Sequence, residues 1–304
     1  MSLSIIVVSW NTRDLLIQCL SSIFTYPPTD SFDVWVVDNA SEDGSNEAVI
    51  RHFPQTNLIE NDSNVGFATA NNQVIHNSKG EYLLLLNPDT EVKPGALETL
   101  IQFMDQHKEV GAVGPRLQNS DGSIQVSCYL APTLMREFWR LFHLDVFWDY
   151  SSYPMFEWDL ATAREVEVIQ GACLLLRRIA LDQVGLLDED YFIYSEEVDL
   201  CVRLRRAGFH LFWIPQAEVV HYGGRSTEQV QAEMFIHLYR SKVLYFRKNH
   251  GLPKSILYKL ILFTATISRL LLSPFTLFER PSTRDRHLGV VRNYCDLLME
   301  IPKM

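Results

Sequence analysis

The sequence predicts an α/β protein: a mostly parallel central sheet flanked by helices, followed by a C-terminal helical tail. Three observations carry that prediction. Short continuous apolar runs alternate with segments of helical periodicity through the first 107 residues, the pattern of strands joined by covering helices. Polar clusters stand directly after two of those runs, where sheets of this kind bind ligands. After about residue 230 the character changes, and Ser255 to Phe278 becomes a long apolar stretch interrupted by bases.

The elements follow in order. Ile5 to Val8 is a buried strand, and Leu15, Leu16, Cys19, Leu20 and Ile23 recur at helical spacing. Val34 to Val37 is a second strand, ending at Asp38. Ala48 to Phe53 is helical, Leu58-Ile59 a short strand, and Ala68 to Ser78 a helix with Gly80 just past its end. Tyr82 to Leu86 is a strand stopped by Asn87-Pro88, and Leu97 to His107 a helix. Residues 116–153 are less regular and rich in aromatics: Tyr129, Phe138, Trp139, Phe142, Phe147 and Trp148. They read either as core and loop packing or as an acceptor-binding wall. Glu167 to Arg177 is a strand carrying Gly171-Ala172, and a helix begins near Ser195.

Composition narrows the function. A net charge of −10 argues against nucleic acid as the main partner, because that role needs a basic surface. The five cysteines are scattered, with no C-x-x-C pair, so disulfide and zinc frameworks are not expected and a reducing cytosol fits. The first residues carry neither a basic n-region nor a cleavage site, so no secretory signal is expected.

Four stretches carry candidate chemistry, and each has a plain structural reading beside it. In Asp38-Asn39-Ala40-Ser41, a carboxylate ending a buried strand can accept from a ring N–H such as N3 of uracil or thymine; the same residues also suit an ordinary turn. In Asn87-Pro88-Asp89, a carboxylate just beyond a strand can hold a hard divalent cation that bridges a diphosphate, or simply close a proline turn. Glu196, Glu197 and Asp199 open a helix that ends in Arg203, Arg205 and Arg206. That order satisfies the helix dipole with Ser195 as N-cap, yet one of these acids can serve as a general base for a hydroxyl. Two adjacent carboxylates also raise the proton affinity of one of them. His221, after an apolar strand and before Gly223-Gly224, is a metal ligand or a packed side chain.

Taken in order, the motifs resemble the inverting family 2 glycosyltransferases of GT-A, Rossmann-like fold, and among them the rhamnosyltransferase-like members. The matching stretches are Ser4 to Asn11, Val37 to Ser45, Asn64 to Asn72, Leu86 to Thr90, Gly171 to Arg178, Ser195 to Arg203 and His221 to Gly224. The resemblance covers residues 3–230. It implies a transferase domain over 1–230, with a nucleotide-binding half at 1–115 and an acceptor half at 116–230; the helical region at 231–304, membrane-associated or packed on protein, lies beyond the resemblance. It further implies a nucleotide-sugar pocket from Ser9, Asn11, Asp38, Asn64, Gly66, Asn71, Asn87, Asp89 and Gly171, with Asp38 on the base. Asp89 and His221 would bind Mg2+ or Mn2+. Glu197 would be the base, with Glu196 and Asp199 as the neighbouring candidates. The donor would be dTDP-rhamnose or a UDP-sugar, since N3–H is common to both bases. Two positions depart from the family pattern: Asn87 replaces the first Asp of the Asp-x-Asp motif, and Glu197 replaces the commoner Asp.

Two other readings compete. A nucleotidyltransferase would need a glycine-rich basic loop after the first strand, where this chain has Ser9-Trp10-Asn11-Thr12-Arg13. A degenerate scaffold or carbohydrate-binding protein is motivated by Asn87 and opposed by Asp89, Glu197 and His221. The tail, with Lys259 and Arg269 inside it and Pro274 breaking it, suits an interfacial helix on an anionic membrane or a helix packed on protein, better than a span. An interfacial tail implies a glycan or lipid-linked glycan acceptor at the cytoplasmic membrane face, as in bacterial polysaccharide assembly.

Overall fold

The computed structural model of the chain describes residues 2–223, 231–272 and 281–304, the side chains of 281–288 excepted. Gly224, and residues 273–278 with Pro274, lie outside the described residues.

The sheet begins with β1 (Leu3–Ser9), β2 (Phe32–Asp38), β3 (Asn57–Glu60) and β4 (Tyr82–Leu86), and continues through β5 (Thr90–Val92) and β6 (Val110–Gln118). After β7 (Cys128–Tyr129) come β8 (Arg164–Glu165), β9 (Val168–Ile169), β10 (Cys173–Arg177) and β11 (His210–His221). The main sheet has nine strands in the order β3-β2-β1-β4-β10-β6-β11-β5, with β8 on β11. β1, β2, β3 and β4 run parallel, as do β6 and β11, while β10, β5 and β8 are antiparallel to their neighbours. β7 and β9 form a separate two-stranded ribbon.

Alternation along the strands fills two cores. Ile5, Val7, Leu84 and Leu86 face one side, against α1 (Arg13–Thr25), α2 (Ser45–His52) and α4 (Ala96–Gln106). Ile6, Val8, Leu83 and Leu85 face the other, against α3 (Phe67–Asn77), α6 (Arg178–Val184) and α7 (Glu196–Arg206). Burial on both faces is why β1 and β4 read as unbroken apolar runs rather than alternating ones. The sheet and helices are the predicted α/β fold.

Two details differ from the sequence reading. The stretch from Glu167 to Arg177 is not one strand: β9 leaves for the ribbon, and Gln170-Gly171-Ala172 form a break before β10. Ser195 is not in the extended conformation usual for an N-cap, since Tyr194 and Ser195 both have φ of +68°. Two consecutive non-glycine residues in the left-handed region hold strain directly ahead of Glu196 and Glu197.

By packing, the chain divides into two units. The first takes Met1–Ala131, Tyr153–Phe192 and Glu196–Gln229, and so contains the sheet. The second takes Pro132–Ser152, Ile193–Ser195 and Val230–Met304. It is helical: α5 (Leu134–Leu141), α8 (Gln231–His250), α9 (Leu252–Leu272) and α10 (Pro281–Glu300). In α9, Ser255, Tyr258, Leu262, Ala265 and Thr266 form the buried stripe, spaced at helical intervals. Lys259 donates to the Met304 carbonyl, and Arg269 to the Leu141 carbonyl, so both charges of the apolar stretch are held by protein groups. The opposite side exposes Ile256, Leu257, Leu260 and Phe263.

Candidate active site

The parallel strands deliver their carboxyl ends to one edge of the sheet. Ser9 pairs with Asp38 at the ends of β1 and β2. Leu86 pairs with Cys173, and the Asn87 amide donates to the Ala172 carbonyl at 2.9 Å, which sets the Asn87-Pro88-Asp89 turn against the Gly171 break. Thr90 pairs with His221, so Asp89 and His221 become neighbours although they are 132 positions apart in the chain.

The loops behind this edge are tied together by short polar side chains. The Asn11 amide donates to Ser41 Oγ at 2.9 Å, and Asn11 Oδ1 accepts from the Glu42 amide at 2.8 Å. Asn11 adopts φ of +52° to do so, a conformation Asn tolerates better than most residues. Asp38 Oδ2 accepts from the Ser41 amide, while buried Asp38 Oδ1 has no partner. An orphaned buried acceptor is costly, and a ring N–H would satisfy it. Ser9 Oγ lies 3.0 Å from Thr12 Oγ1.

Asn64, Gly66 and Asn71 surround the start of α3. Asn64 Oδ1 accepts from the Gly66 amide and from Asn39 Nδ2, joining this loop to the one after β2. Gly66 has φ of +85°, and a Cβ there would lie 2.5 Å from the Phe192 carbonyl oxygen, so no other residue fits. Asn71 Nδ2 donates back to the Phe67 carbonyl, leaving its buried Oδ1 unpartnered.

The acidic end of α7 meets the Gly171 break. A Cβ on Gly171 would stand in ordinary contact with Glu197 Cβ, at 3.6 Å, which places the break beside this acid. Burial, together with the adjacent Glu197 charge, holds the Glu196 carboxyl well above the ordinary carboxylate range. Asp199 is buried and bound by Arg203 Nε at 2.7 Å, and Arg203 also donates to the carbonyls of Val184, Gly185 and Leu186. Of the three candidate acids, Asp199 is thus committed to an ion pair that anchors α7 to the end of α6.

The geometry at Asp89 and His221 is the most specific. Both are about 5% exposed, and His221 Nε2 lies 3.3 Å from Asp89 Oδ1 without forming a hydrogen bond to it. Gln125 explains why. Its Nε2 donates to the His221 carbonyl at 3.2 Å, which can only accept, and this fixes the orientation of the amide. Gln125 Oε1 therefore faces His221 Nδ1 at 2.6 Å, and Nδ1 carries the proton. His221 Nε2, without a hydrogen-bond partner, is turned toward a carboxylate oxygen. A divalent cation between the two atoms would satisfy both, and ligands sharing one octahedral cation stand about 3 Å apart. The donor set fits a hard divalent metal with two protein ligands, the rest coming from water or phosphate oxygens. Among the described residues there is no group of three or more His, Cys, Asp or Glu that could hold a metal ion.

Sequence reasoning missed Gln125. The Asp121-Gly122 pair signals a turn, and Asn119 to Ser123 do form one, with Gly122 at φ of +82°. Nothing in the sequence indicates that the turn returns Gln125 to the end of a strand 96 positions later. Gln170, whose Oε1 is also buried without a partner beside Gly171, was missed because it reads as one more strand residue. Beneath the Asn87 turn, burial pushes the Cys19 thiol up to about 12, so it stays protonated and packs as an apolar group.

The glycosyl transferase family 2 model matches residues 4–185. N-acetylglucosaminyl-diphospho-decaprenol L-rhamnosyltransferase of Mycobacterium tuberculosis (strain CDC 1551 / Oshkosh) is 32% identical over 237 residues, covering 72% of this chain and 75% of its own. Rhamnosyltransferase WbbL of Escherichia coli (strain K12) is 24% identical over 155 residues, 51% of this chain and 57% of its own. Among solved structures, a mannosyltransferase from Pyrobaculum calidifontis in complex with GDP-Man and Mn2+ superposes with a TM-score of 0.58 at 19% identity, covering 98% of this chain and 84% of its own. At that identity the likeness shows the fold.

Proposed function

The chain belongs to glycosyltransferase family 2, and on that premise we propose that it moves rhamnose from a dTDP-sugar, or a sugar from a UDP donor, to a hydroxyl of a lipid-linked glycan with inversion. The mycobacterial relative, whose name specifies rhamnosyl transfer to a decaprenyl diphosphate-linked sugar, supports this choice of donor and acceptor. The observation that carries the reading is that the Asp89–His221 pair and the unpartnered Asp38 oxygen both stand at the carboxyl edge of the sheet.

Asp38 Oδ1 accepts the N3–H of thymine or uracil, and Ser9, Asn11 and Asn71 line the same pocket with Asn64 and Gly66 shaping its wall. Asp89 and His221 would hold Mg2+ or Mn2+, with Asn87 in the same turn as Asp89. When bound, the cation offsets the negative charge that grows on the leaving nucleoside diphosphate. Glu197 takes the proton of the acceptor hydroxyl as that oxygen attacks the anomeric carbon in line with the departing diphosphate. Burial and the Glu197 charge hold the Glu196 carboxyl well above the ordinary carboxylate range, and Asp199 is held by Arg203. Residues 1–230 serve as the transferase domain, 1–115 holding the nucleotide and 116–230 the acceptor. The helical region 231–304 lies at the cytoplasmic face of a membrane, where a lipid-linked acceptor presents its sugar, and the assignment to cell-surface polysaccharide assembly follows from that acceptor.

The test is transfer of labelled rhamnose from dTDP-rhamnose to a polyprenyl-diphosphate-linked N-acetylglucosamine with Mn2+ or Mg2+. Product whose anomeric configuration is opposite to the donor's supports the reading. Turnover of UDP-sugars alone moves the donor to uridine, and retention of configuration overturns the mechanism.

Gln125 provides a finer check. Gln125→Ala lets His221 rotate and lose its fixed tautomer, so Mn2+ affinity with dTDP present falls about tenfold or more while the fold is kept. Electron paramagnetic resonance of free Mn2+ reads this directly, and an unchanged affinity refutes the role given to Gln125.

A further inference from the structure

The second unit carries an apolar tip that its own packing does not explain. Val146, Phe147 and Trp148 are 82%, 84% and 71% exposed, three consecutive large apolar side chains. The loop is held firmly in that form. The Asp145 carboxylate accepts from the amides of Tyr150 and Ser151 at 3.1 and 3.0 Å, and from the Ser151 hydroxyl. Trp139 Nε1 donates to the Trp148 carbonyl at 2.8 Å, and the Trp139 ring meets Tyr150 edge-on. The tip is therefore kept outward while its base is tied down.

Arg269 sets the C-terminal end of α9 beside this loop. Its Nη2 donates to the Leu141 carbonyl and lies 3.1 Å from His143 Nε2. The neighbouring Leu271 and Leu272 are 72% and 63% exposed. Tip and helix end thus belong to one unit, are linked through Arg269 to Leu141 and His143, and each exposes large apolar side chains.

Charge identifies what covers them. The second unit, which carries the tip, contains 14 Lys and Arg against 8 Asp and Glu, a net of +6 even with Asp145 and Asp149 flanking the tip, whereas the rest of the chain carries 13 against 29, a net of −16. A basic region bearing a Trp- and Phe-tipped apolar loop complements an anionic bilayer. A second copy would set two such basic regions against each other. We infer that Val146, Phe147 and Trp148, with Leu271 and Leu272 of the same unit, insert into the interface of an anionic lipid bilayer. The inference rests on the proposal that the helical region lies on a membrane, and adds an insertion point outside the apolar tail.

The experiment is flotation of the full chain with phosphatidylcholine vesicles, with and without phosphatidylglycerol. Wild type should float with the anionic vesicles and lose most binding at high salt. Phe147→Ser/Trp148→Ser, at an unchanged melting temperature, should bind about tenfold more weakly. Brominated acyl chains should quench wild-type fluorescence, and Trp148→Phe should remove that quenching. Absence of wild-type binding overturns both the membrane reading and this inference. Wild-type binding matched by the double variant, with Trp148 unquenched, overturns the inference alone. A dimer lost in the double variant without change in vesicle binding assigns the tip to a second copy and also overturns it.

Discussion

Asp89→Ala should lower sugar transfer on the order of a thousandfold, the equivalent of about 4 kcal/mol of transition-state stabilisation. The variant removes one of two protein ligands and leaves His221 Nε2 facing empty space. Asp89 can be lost without removing a hydrogen bond of the Gln125–His221 pair, because Asp89 makes none to the ring. The backbone link from the Tyr222 amide to the Asp89 carbonyl survives the substitution, so the edge of the sheet should keep its form. Nucleotide should still bind through Asp38, but without enhancement by Mn2+. Isothermal titration with dTDP, with and without the ion, separates the two contributions. Full activity with undiminished Mn2+ enhancement would remove Asp89 from the metal site.

Glu197→Gln should cost about a thousandfold in kcat while leaving donor affinity within about twofold, since a general base contributes in the transition state and not in nucleotide binding. Its pH profile provides a second readout. Glu196 holds its proton well above the ordinary value of 4.5, through burial first and the Glu197 charge second. Glutamine at 197 removes that charge, so the Glu196 pKa should fall toward the value set by burial alone. Because the folded chain keeps this proton where the unfolded chain releases it, Glu196 lowers stability as pH rises from about 4.5 to its folded pKa. Wild type should lose stability across that window, and Glu197→Gln should lose less of it, as measured by denaturant unfolding at several pH values. An activity loss that appears instead in KM for the donor would assign Glu197 to binding.

The sequence made the first half of the fold legible because strands buried on both faces leave unbroken apolar runs, as Ile5 to Val8 and Tyr82 to Leu86 do. It hid β6, whose Gly111, Gly114 and Pro115 read as strand breakers. Pro115 is tolerated because the pairing of β6 with β11 is irregular just beyond Ile214, where a missing donor breaks no regular ladder. The residues of the site edge were legible as strand ends: Asp38, Asn87-Pro88-Asp89 and His221 each follow an apolar run. What brings them together was not, because it depends on Thr90 pairing with His221 and on a turn that returns Gln125. The grouping of residues 132–152 with the C-terminal helices was also hidden, since long-range packing of α5 leaves no periodic signal.

The measurement that bears most directly on the central claim is the melting temperature of the full chain with dTDP, UDP, GDP and CMP, each with and without Mn2+. A ligand at a hundredfold excess over its dissociation constant adds about 2.7 kcal/mol to a native state it alone binds. The melting temperature should rise by a few degrees with dTDP or UDP and Mn2+ together. The rise should be smaller without the ion and should lose its Mn2+ dependence in Asp89→Ala. No shift with any nucleotide, with or without metal, would contradict the central claim and leave a family 2 fold serving as a scaffold.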